Sequence, residues 1–373
     1  MLEKGKIGAR QLTILAIFLT IGDSILALPA TTAIQGKQDA WLSGVIGLAI
    51  GIPIVYLIAV VGKLYPGMTV FMSSRKILGK WLGLVASLLF AVHLFLNASV
   101  FLREIGDFVT SHMMPETPIQ SILLLFLCII VMGTKLGLEV IARTGELLFP
   151  FFVFLFLFFV VALAPKADLV NVQPFLEDGF RPLLRGTLAA IAYPYVELAV
   201  LLMVIPYVSQ VERIGRSMLL GGLLGGIAVA VVLSLSILVL GAGDTARHLY
   251  PSYALAQEIN IGEFLDRVEA VMAILWFFSI YFKLTIYFYG MTLGLAQLAG
   301  LKETRILMLP MGMLLLIGAI TVSPNTIFFN QLATYWSLYD MTYVLGFLLL
   351  LLAVHAIRGK GSEEQSTKIE TSG

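Results

Sequence analysis

Ten apolar stretches dominate this sequence, and nearly all are long enough to cross a lipid bilayer as a helix. About 20 mainly apolar residues are needed to span the hydrocarbon core. The predicted spans are residues 11–33, 41–62, 81–109, 119–133, 147–164, 183–208, 218–241, 265–298, 306–322 and 336–357. Continuous apolar runs of this kind are typical of membrane helices, so we expect an all-α polytopic membrane protein with ten transmembrane helices.

The overall composition supports the same class. Hydrophobic residues make up 59% of the 373 residues and charged residues only 13%, whereas globular proteins carry about a quarter charged residues. The chain therefore has too few charges to cover a water-facing surface of its size. A net charge of +1 argues against a nucleic-acid partner, which needs a clustered basic face. The single cysteine, Cys128, cannot form an internal disulfide and leaves the redox compartment open.

The distribution of basic residues predicts the orientation in the membrane. With ten spans and the amino terminus inside, 16 lysines and arginines fall on the inner side and six on the outer side, while Arg103 and Lys283 lie within spans. Because cytoplasmic loops carry the excess of basic residues, both termini are predicted to be cytoplasmic and residues 168–181 to face outward. Residues 1–358 are expected to form one transmembrane domain, followed by a polar, disordered tail at 359–373.

Two of the predicted spans are interrupted at corresponding places. The first is broken at Gly22-Asp23-Ser24 and the sixth at Tyr193-Pro194-Tyr195. These spans are the first helices of two five-span halves, and because five is odd the halves have opposite topology. Interrupted helices 1 and 6 in two inverted five-helix repeats indicate a transporter-like binding site between them.

The first break is suited to an anionic group. Gly22 permits irregular backbone, and Asp23 places a charge in the apolar core, where it is costly unless it is paired or hydrated. Pro29 follows and removes a helical hydrogen bond. Free N–H groups between Gly22 and Ile25, including that of Ser24, would bind a ligand carboxylate. The alternative is a proline kink in which Asp23 makes a structural hydrogen bond.

The break in the sixth span, called the sixth break below, offers hydrogen-bond acceptors instead. Its residues are Tyr193, Pro194, Tyr195 and Glu197, which are close together in the chain. Pro194 frees the carbonyl one turn earlier, and Tyr193 and Glu197 are four residues apart on one helix face. The freed carbonyls and the Glu197 carboxylate would suit a ligand ammonium group. The alternative is an aromatic packing contact together with a protonated structural glutamate.

Polar stripes on the third and eighth spans supply further candidates. On the third span, Asn97 lies deep enough to form a pocket wall, whereas Arg103, Glu104 and Asp107 fit better as a structural ion network near the outer membrane edge. On the eighth span, Lys283 lies too far from either end to snorkel, so it needs a counter-charge or water. The residues that share its stripe are Trp276, Ser279 and Tyr287.

Several spaced motifs resemble the spore germination permease-like family, the B subunits of bacterial germinant receptors. The resemblance runs from about residue 4 to residue 358 and includes one departure, Val196, where the family usually has glycine in the sixth span. The motifs are Leu28-Pro29, Gln38-Asp39-Ala40-Trp41, Leu102-Arg103-Glu104, Met114-Pro115-Glu116-Thr117-Pro118, Glu139 with Arg143-Thr144 and Glu146 before Pro150, Pro194-Tyr195-Val196-Glu197, and Pro206-Tyr207-Val208.

This resemblance implies a fold of the amino acid–polyamine–organocation superfamily and a location in the spore inner membrane of an endospore-forming bacterium. It also implies two partners, a germinant receptor A subunit and a lipoprotein C subunit, and a small-molecule germinant that is often an amino acid. In superfamily members of this fold a sodium ion often lies between the first-helix break and the eighth helix. We therefore hypothesise that Lys283 replaces this ion, paired with Asp23, and that the pair serves ion or proton coupling.

Two functions are compatible with these residues. One is a B subunit that binds an amino-acid-like germinant in the membrane and triggers germination, and the other is a free-standing proton-coupled amino acid transporter. An enzyme is not expected, because the sequence contains no His-Glu-x-x-His motif, no Gly-x-Ser-x-Gly motif and no phosphate-binding loop. No cofactor and no metal ion are predicted.

Overall fold

The computed structural model describes residues 3, 5–259 and 268–370, and this part of the chain is almost entirely helical. Its α-helices are α1 (Ala9–Ile21), α2 (Ser24–Gly36), α3 (Ala40–Lys63), α4 (Val70–Leu78), α5 (Lys80–His112), α6 (Ile119–Leu136), α7 (Leu138–Leu163), α8 (Phe180–Tyr195), α9 (Ile214–Arg247), α10 (Pro251–Gln257), α11 (Glu269–Leu298), α12 (Arg305–Thr321) and α13 (Thr326–Glu370). A 3₁₀ helix, Val196–Met203, continues directly from α8. Within these described ranges the only β-type pairing is an isolated parallel bridge between Ile7 and Val208. The predicted all-α fold is confirmed.

Eight helical stretches in the described part of the chain are long and apolar enough to cross a membrane. They are Ser24–Lys63, Lys80–His112, Ile119–Leu136, Leu138–Lys166, Phe180–Met203, Val211–Arg247, Glu269–Leu298 and Tyr335–Arg358. The helices α1 and α12 are apolar but shorter, and α1 is short because the first predicted span divides into α1 and α2. The count of ten spans stays a prediction. The first residues of the eighth predicted span, 265–267, lie outside the described residues.

The two interrupted helices lie in the interior of the molecule. In the most apolar window of Phe180–Met203, 94% of the residues are buried, against 17% in that of Leu138–Lys166. Most of α1 is buried as well. The helix α7 therefore presents its side chains to the surroundings, whereas α1, α2 and α8 are enclosed by protein. Irregular backbone at membrane depth is tolerated only in such a protein-enclosed position.

Two short helices and the last helix complete the fold. The helix α4 lies in the connection between α3 and α5, where no span was predicted, and its nine residues are too few to cross a membrane. The helix α10 lies against the first break, where the Ser252 hydroxyl donates a 2.6 Å hydrogen bond to the Ile25 carbonyl. The helix α13 continues to Glu370, and the predicted disorder of residues 359–373 stays a prediction.

Candidate functional site

The first break opens the backbone fully at one residue. The helix α1 closes with a 2.8 Å hydrogen bond from the Gly22 N–H to the Phe18 carbonyl. Gly22 then takes φ +21° and ψ −118°, a positive-φ conformation that side-chain-bearing residues rarely adopt. The helix α2 begins at Ser24, so its first N–H groups have no partner within that helix. Local sequence thus creates an interruption in which both N–H and C=O groups are available.

At the sixth break the chain remains helical but changes to a tighter, 3₁₀ helix. The helix α8 ends at Tyr195, where φ is −115°, and the chain continues as the 3₁₀ helix Val196–Met203. Pro194 lies in the last turn of α8. The β-branched Val196, which the resemblance identified as a departure from glycine, is consistent with a helix that tightens rather than unwinds.

Lys283 joins the two breaks. Its ammonium nitrogen lies 2.5 Å from Asp23 Oδ1 in the first break and forms an ion pair with Glu197 Oε2 in the sixth. It also donates a 3.4 Å hydrogen bond to the Tyr193 carbonyl. All three ionisable side chains are buried, and that of Lys283 is fully so. The structure therefore brings Lys283 and Asp23 together as the sequence analysis expected, and adds Glu197 as a second counter-charge.

One face of α11 forms hydrogen bonds to both breaks. The Ser279 hydroxyl donates a 3.3 Å hydrogen bond to the Gly22 carbonyl, and the Tyr287 hydroxyl donates a 2.9 Å hydrogen bond to the Glu197 carbonyl. Positions 279, 283 and 287 are successive i, i+4 neighbours on this face. The place that the sequence analysis gave to a ligand ammonium, beside Tyr193 and Glu197, is consequently filled by the lysine of α11.

Acidic side chains outnumber basic ones at this site. Glu104 of α5 and Asp340 of α13 are buried and interact electrostatically with both Asp23 and Lys283. Together with Asp23 and Glu197 they put four carboxyl groups around one ammonium. Burying unpaired carboxylates is very costly, so protons or a further cation must balance part of this charge.

Glu104 does not join the ion network in which the sequence analysis placed it. Arg103 Nε lies 2.9 Å from Asp107 Oδ2, and Arg103 Nη1 donates a hydrogen bond to the Ser323 carbonyl at 2.5 Å. Glu104, one residue along the helix, points to a different neighbour because successive helical residues are about 100° apart. It lines a cavity with Asp23 and Tyr193.

This cavity is small and is lined in part by aromatic side chains. Its volume is about 30 Å³, which is room for one or two water molecules and less than any amino acid requires. Its lining combines the polar residues of both breaks with apolar walls from α2, α5 and α13. The lining residues are Asp23, Ala27, Val100, Phe101, Glu104, Tyr193, Phe329, Leu332 and Trp336.

Asn97 lies behind this cavity in a second polar cluster between α5 and α13. Its side-chain oxygen accepts a 3.3 Å hydrogen bond from Trp336 Nε1, and its amide nitrogen donates a 3.3 Å hydrogen bond to Asp340 Oδ1. His93 Nδ1 lies 3.7 Å from the same Asp340 oxygen. Asn97 therefore positions Trp336, which is itself a cavity wall. Sequence reasoning missed Asp340, although a carboxylate within the tenth predicted span, near its start, was a usable signal.

The remaining predicted site residues are placed differently. The Tyr195 ring lies between Gly51 of α3 and Gly226 of α9, where an added Cβ would overlap it, so it packs helices together and is absent from the cavity lining. Ser24 is buried, and its hydroxyl has no hydrogen-bond partner among the described residues. Ile25 contributes its carbonyl to Ser252 and buries its side chain.

Comparison with known proteins gives a consistent result. A family model described as "Spore germination protein" matches residues 6–327. Spore germination protein KB of Bacillus subtilis (strain 168) is 28% identical over 327 residues, which is 87% of each chain. Among solved structures, the transporter Mhp1 in a closed conformation matches with a TM-score of 0.70 at 13% identity, covering 93% of this chain and 77% of Mhp1. MhsT in complex with L-phenylalanine matches with a TM-score of 0.68 at 15% identity, covering 94% of this chain and 89% of MhsT.

Proposed function

The chain belongs to the spore germination protein family, and from this premise we propose that it is the B subunit of a germinant receptor. In this role it binds an amino-acid-like germinant in the membrane and triggers germination. The observation that carries the proposal is the buried junction of the two helix breaks, where Lys283 ties Asp23 to Glu197 beside an acidic cavity. A ligand that enters this cavity contacts both halves of the fold at once.

The chemistry of the cavity supports a zwitterionic ligand. The amino-terminal end of α2 provides N–H groups and the positive end of a helix dipole, which favour a carboxylate at Gly22 to Ile25. The acidic side chains favour the ammonium group of such a ligand. The structure of MhsT, which shares the fold, was solved with L-phenylalanine, so this architecture can accommodate an amino acid. Because the cavity here holds only about 30 Å³, binding requires the helices around it to separate.

The proposed role of Lys283 is that of a built-in cation in place of sodium. Its ammonium group neutralises Asp23 and Glu197 directly, so the germinant response is expected to persist when sodium is replaced by N-methylglucamine. A response that disappears without sodium would contradict this part of the proposal.

The proposed setting is the spore inner membrane, with both termini in the cytoplasm and an A subunit and a lipoprotein C subunit as partners. Single cysteines introduced at Lys368 and at Asp168, in a Cys128→Ser background, would test the orientation. We expect an impermeant maleimide to label position 168 from the outside and to leave position 368 unlabelled.

Germination of a deletion strain tests the function itself. Spores that lack this gene are exposed to amino acids, nucleosides and sugars, and the response is restored with the unmodified gene. Loss of the response to an amino acid, and its recovery on complementation, is expected. The transporter alternative makes a different prediction: proteoliposomes that contain this chain alone would accumulate a labelled amino acid in response to a proton gradient. Such uptake, with normal germination of the deletion strain, would replace the receptor proposal.

A further inference from the structure

The carboxyl group of Glu104 is the one acidic group in the cavity lining whose role the junction does not explain. Its side chain is 3% exposed, and its Oε1 atom has no hydrogen-bond partner among the described residues. It lies on α5, opposite the two interrupted helices, and shares the cavity with Asp23 and Tyr193. Leaving a buried carboxyl oxygen without a partner is costly, so this position favours a positively charged or hydrogen-bonding partner.

The neighbouring cations are already engaged. Lys283 has three N–H donors, and it meets three acceptors: Asp23, Glu197 and the Tyr193 carbonyl. Arg103 directs its guanidinium to Asp107 and to the Ser323 carbonyl. Neither cation is hydrogen-bonded to Glu104 in the described part of the chain, which leaves the partner to come from the cavity.

The apolar walls of the cavity are also suited to a cation. Phe101, Phe329 and Trp336 contribute to the lining, and the face of an aromatic ring attracts an ammonium group. The Phe101 ring already lies 5.0 Å from the Lys283 ammonium. Aromatic rings beside a carboxyl group form an environment that favours a primary ammonium over a neutral hydroxyl or a base edge.

The geometry points to Glu104 as the anchor for the ammonium group of the ligand. This inference rests on the proposed function and sharpens it, because it places the ligand ammonium on α5 rather than beside Tyr193 and Glu197, where Lys283 lies. The ligand then bridges three elements, with its carboxylate at the start of α2 and its ammonium at Glu104. Ligands without an ammonium group, such as nucleosides and sugars, are expected to bind more weakly, because they offer Glu104 only neutral hydrogen-bond donors in place of a charged one.

The test uses spores that carry the complete receptor. Dose–response curves are first measured for the 20 standard L-amino acids on the unmodified protein. For each amino acid that triggers germination, the matched amine without the carboxylate and the matched acid without the ammonium are then compared. Three variants are measured in parallel: Glu104→Gln, Glu104→Asp, and Glu212→Gln as a control at an exposed glutamate. Immunoblots report the level of each protein.

We expect Glu104→Gln to raise the half-maximal concentration of the amino acid about 10- to 100-fold, the usual effect of losing a hydrogen bond to a charged group. Glu104→Asp keeps the charge but withdraws it by one methylene, so a smaller increase is expected. The control should respond normally, and the amino-free acid should not trigger germination in any strain.

An unchanged dose response in Glu104→Gln or in Glu104→Asp, at normal protein level, would overturn the inference and leave the proposed function standing. Equal potency of the amino-free acid and the amino acid would do the same. If no amino acid triggers a response that depends on the unmodified protein, the proposed function fails, and this inference fails with it.

Discussion

The two helix breaks occupy equivalent places in the inverted halves but solve the problem of a broken helix differently. At the first break the backbone opens at Gly22, with φ +21°, and a new helix starts two residues later. At the sixth break the chain stays wound and narrows into a 3₁₀ helix from Val196. The first break therefore exposes both N–H and C=O groups, whereas the second mainly offers acceptors.

What unites them is the helix that packs across both. Ser279 bonds to the first break, Tyr287 to the sixth, and Lys283 to both. The difference between the breaks thus determines which ligand groups each can bind, because the first break alone offers free backbone N–H groups to an anion. The shared helix contributes to the stability of both breaks. Substitutions on α11 and at the breaks separate these two contributions.

The largest effect is expected from Lys283→Ala, which strikes both breaks at once. It leaves Asp23 and Glu197 buried without their cation, and removing one partner of a buried ion pair costs about 3–5 kcal/mol. We expect a severe loss of membrane-inserted protein and a lower free energy of unfolding in SDS titrations of the purified protein.

Partial rescue sharpens this prediction. Adding Asp23→Asn to Lys283→Ala should recover part of the stability, and adding Glu197→Gln as well should recover more, because two carboxylates lose the same cation. If neither change improves on Lys283→Ala alone, the lysine is not held by these two breaks.

A smaller but still large effect is expected from Gly22→Ala, which strikes only the first break. The added Cβ would overlap Cδ of Lys283, and the positive φ is strained for alanine, so we expect a loss of about 1–3 kcal/mol. The germinant response should weaken as the lysine is displaced. Gly243→Ala is the matched control, since nothing lies within 4 Å of that position, and its unfolding should be unchanged. If Gly22→Ala and Gly243→Ala had the same free energy of unfolding, the first break would not require glycine at position 22.

Tyr287→Phe affects only the sixth break and is expected to cost about 1 kcal/mol. It deletes the 2.9 Å hydrogen bond to the Glu197 carbonyl while keeping the ring, whose centroid lies 5.1 Å from that of Phe101. The loss should appear in the SDS unfolding free energy and as faster hydrogen exchange in residues 196–203. Unchanged exchange there would indicate that the 3₁₀ segment does not depend on α11.

Ser279→Ala should have the smallest effect, below about 0.5 kcal/mol. The Ser279 hydroxyl bonds to the Gly22 carbonyl at 3.3 Å but also to the Leu275 and Trp276 carbonyls of its own helix, so its contribution to the first break is shared. A larger loss of unfolding free energy than that of Tyr287→Phe would mean that the hydroxyl of α11 at the first break contributes more to stability than the one at the sixth break.

Much of the fold could be predicted from sequence because the deciding patterns are local. The apolar runs indicate helices, and Gly22 and Pro194 mark the interruptions. The pairing of Lys283 with Asp23 was also predicted, but through the resemblance to a superfamily in which a sodium ion often lies between the first break and the eighth helix, since burial alone left water as an alternative partner. The change from α8 to a 3₁₀ helix was harder to predict from the sequence, because it depends on how Val196 packs.

The rest of the site depends on helix rotation, which one sequence does not reveal. Glu104 and Arg103 are neighbours in the chain, yet only Glu104 faces the cavity. Tyr195 follows the break residues but fits between two distant glycines, Gly51 and Gly226. Asp340 was overlooked because no motif surrounds it, and its partners His93 and Asn97 lie over 240 positions away in the chain.

The attachment of the site's cation to α11 also bears on kinetics. A dissociable ion fills its position with an occupancy that depends on its concentration in solution. The ammonium of Lys283 is delivered by its own helix, so its effective concentration is fixed by the fold and dilution cannot empty the position. Release of the junction is therefore a unimolecular event, whose rate does not depend on the concentration of any ion in solution.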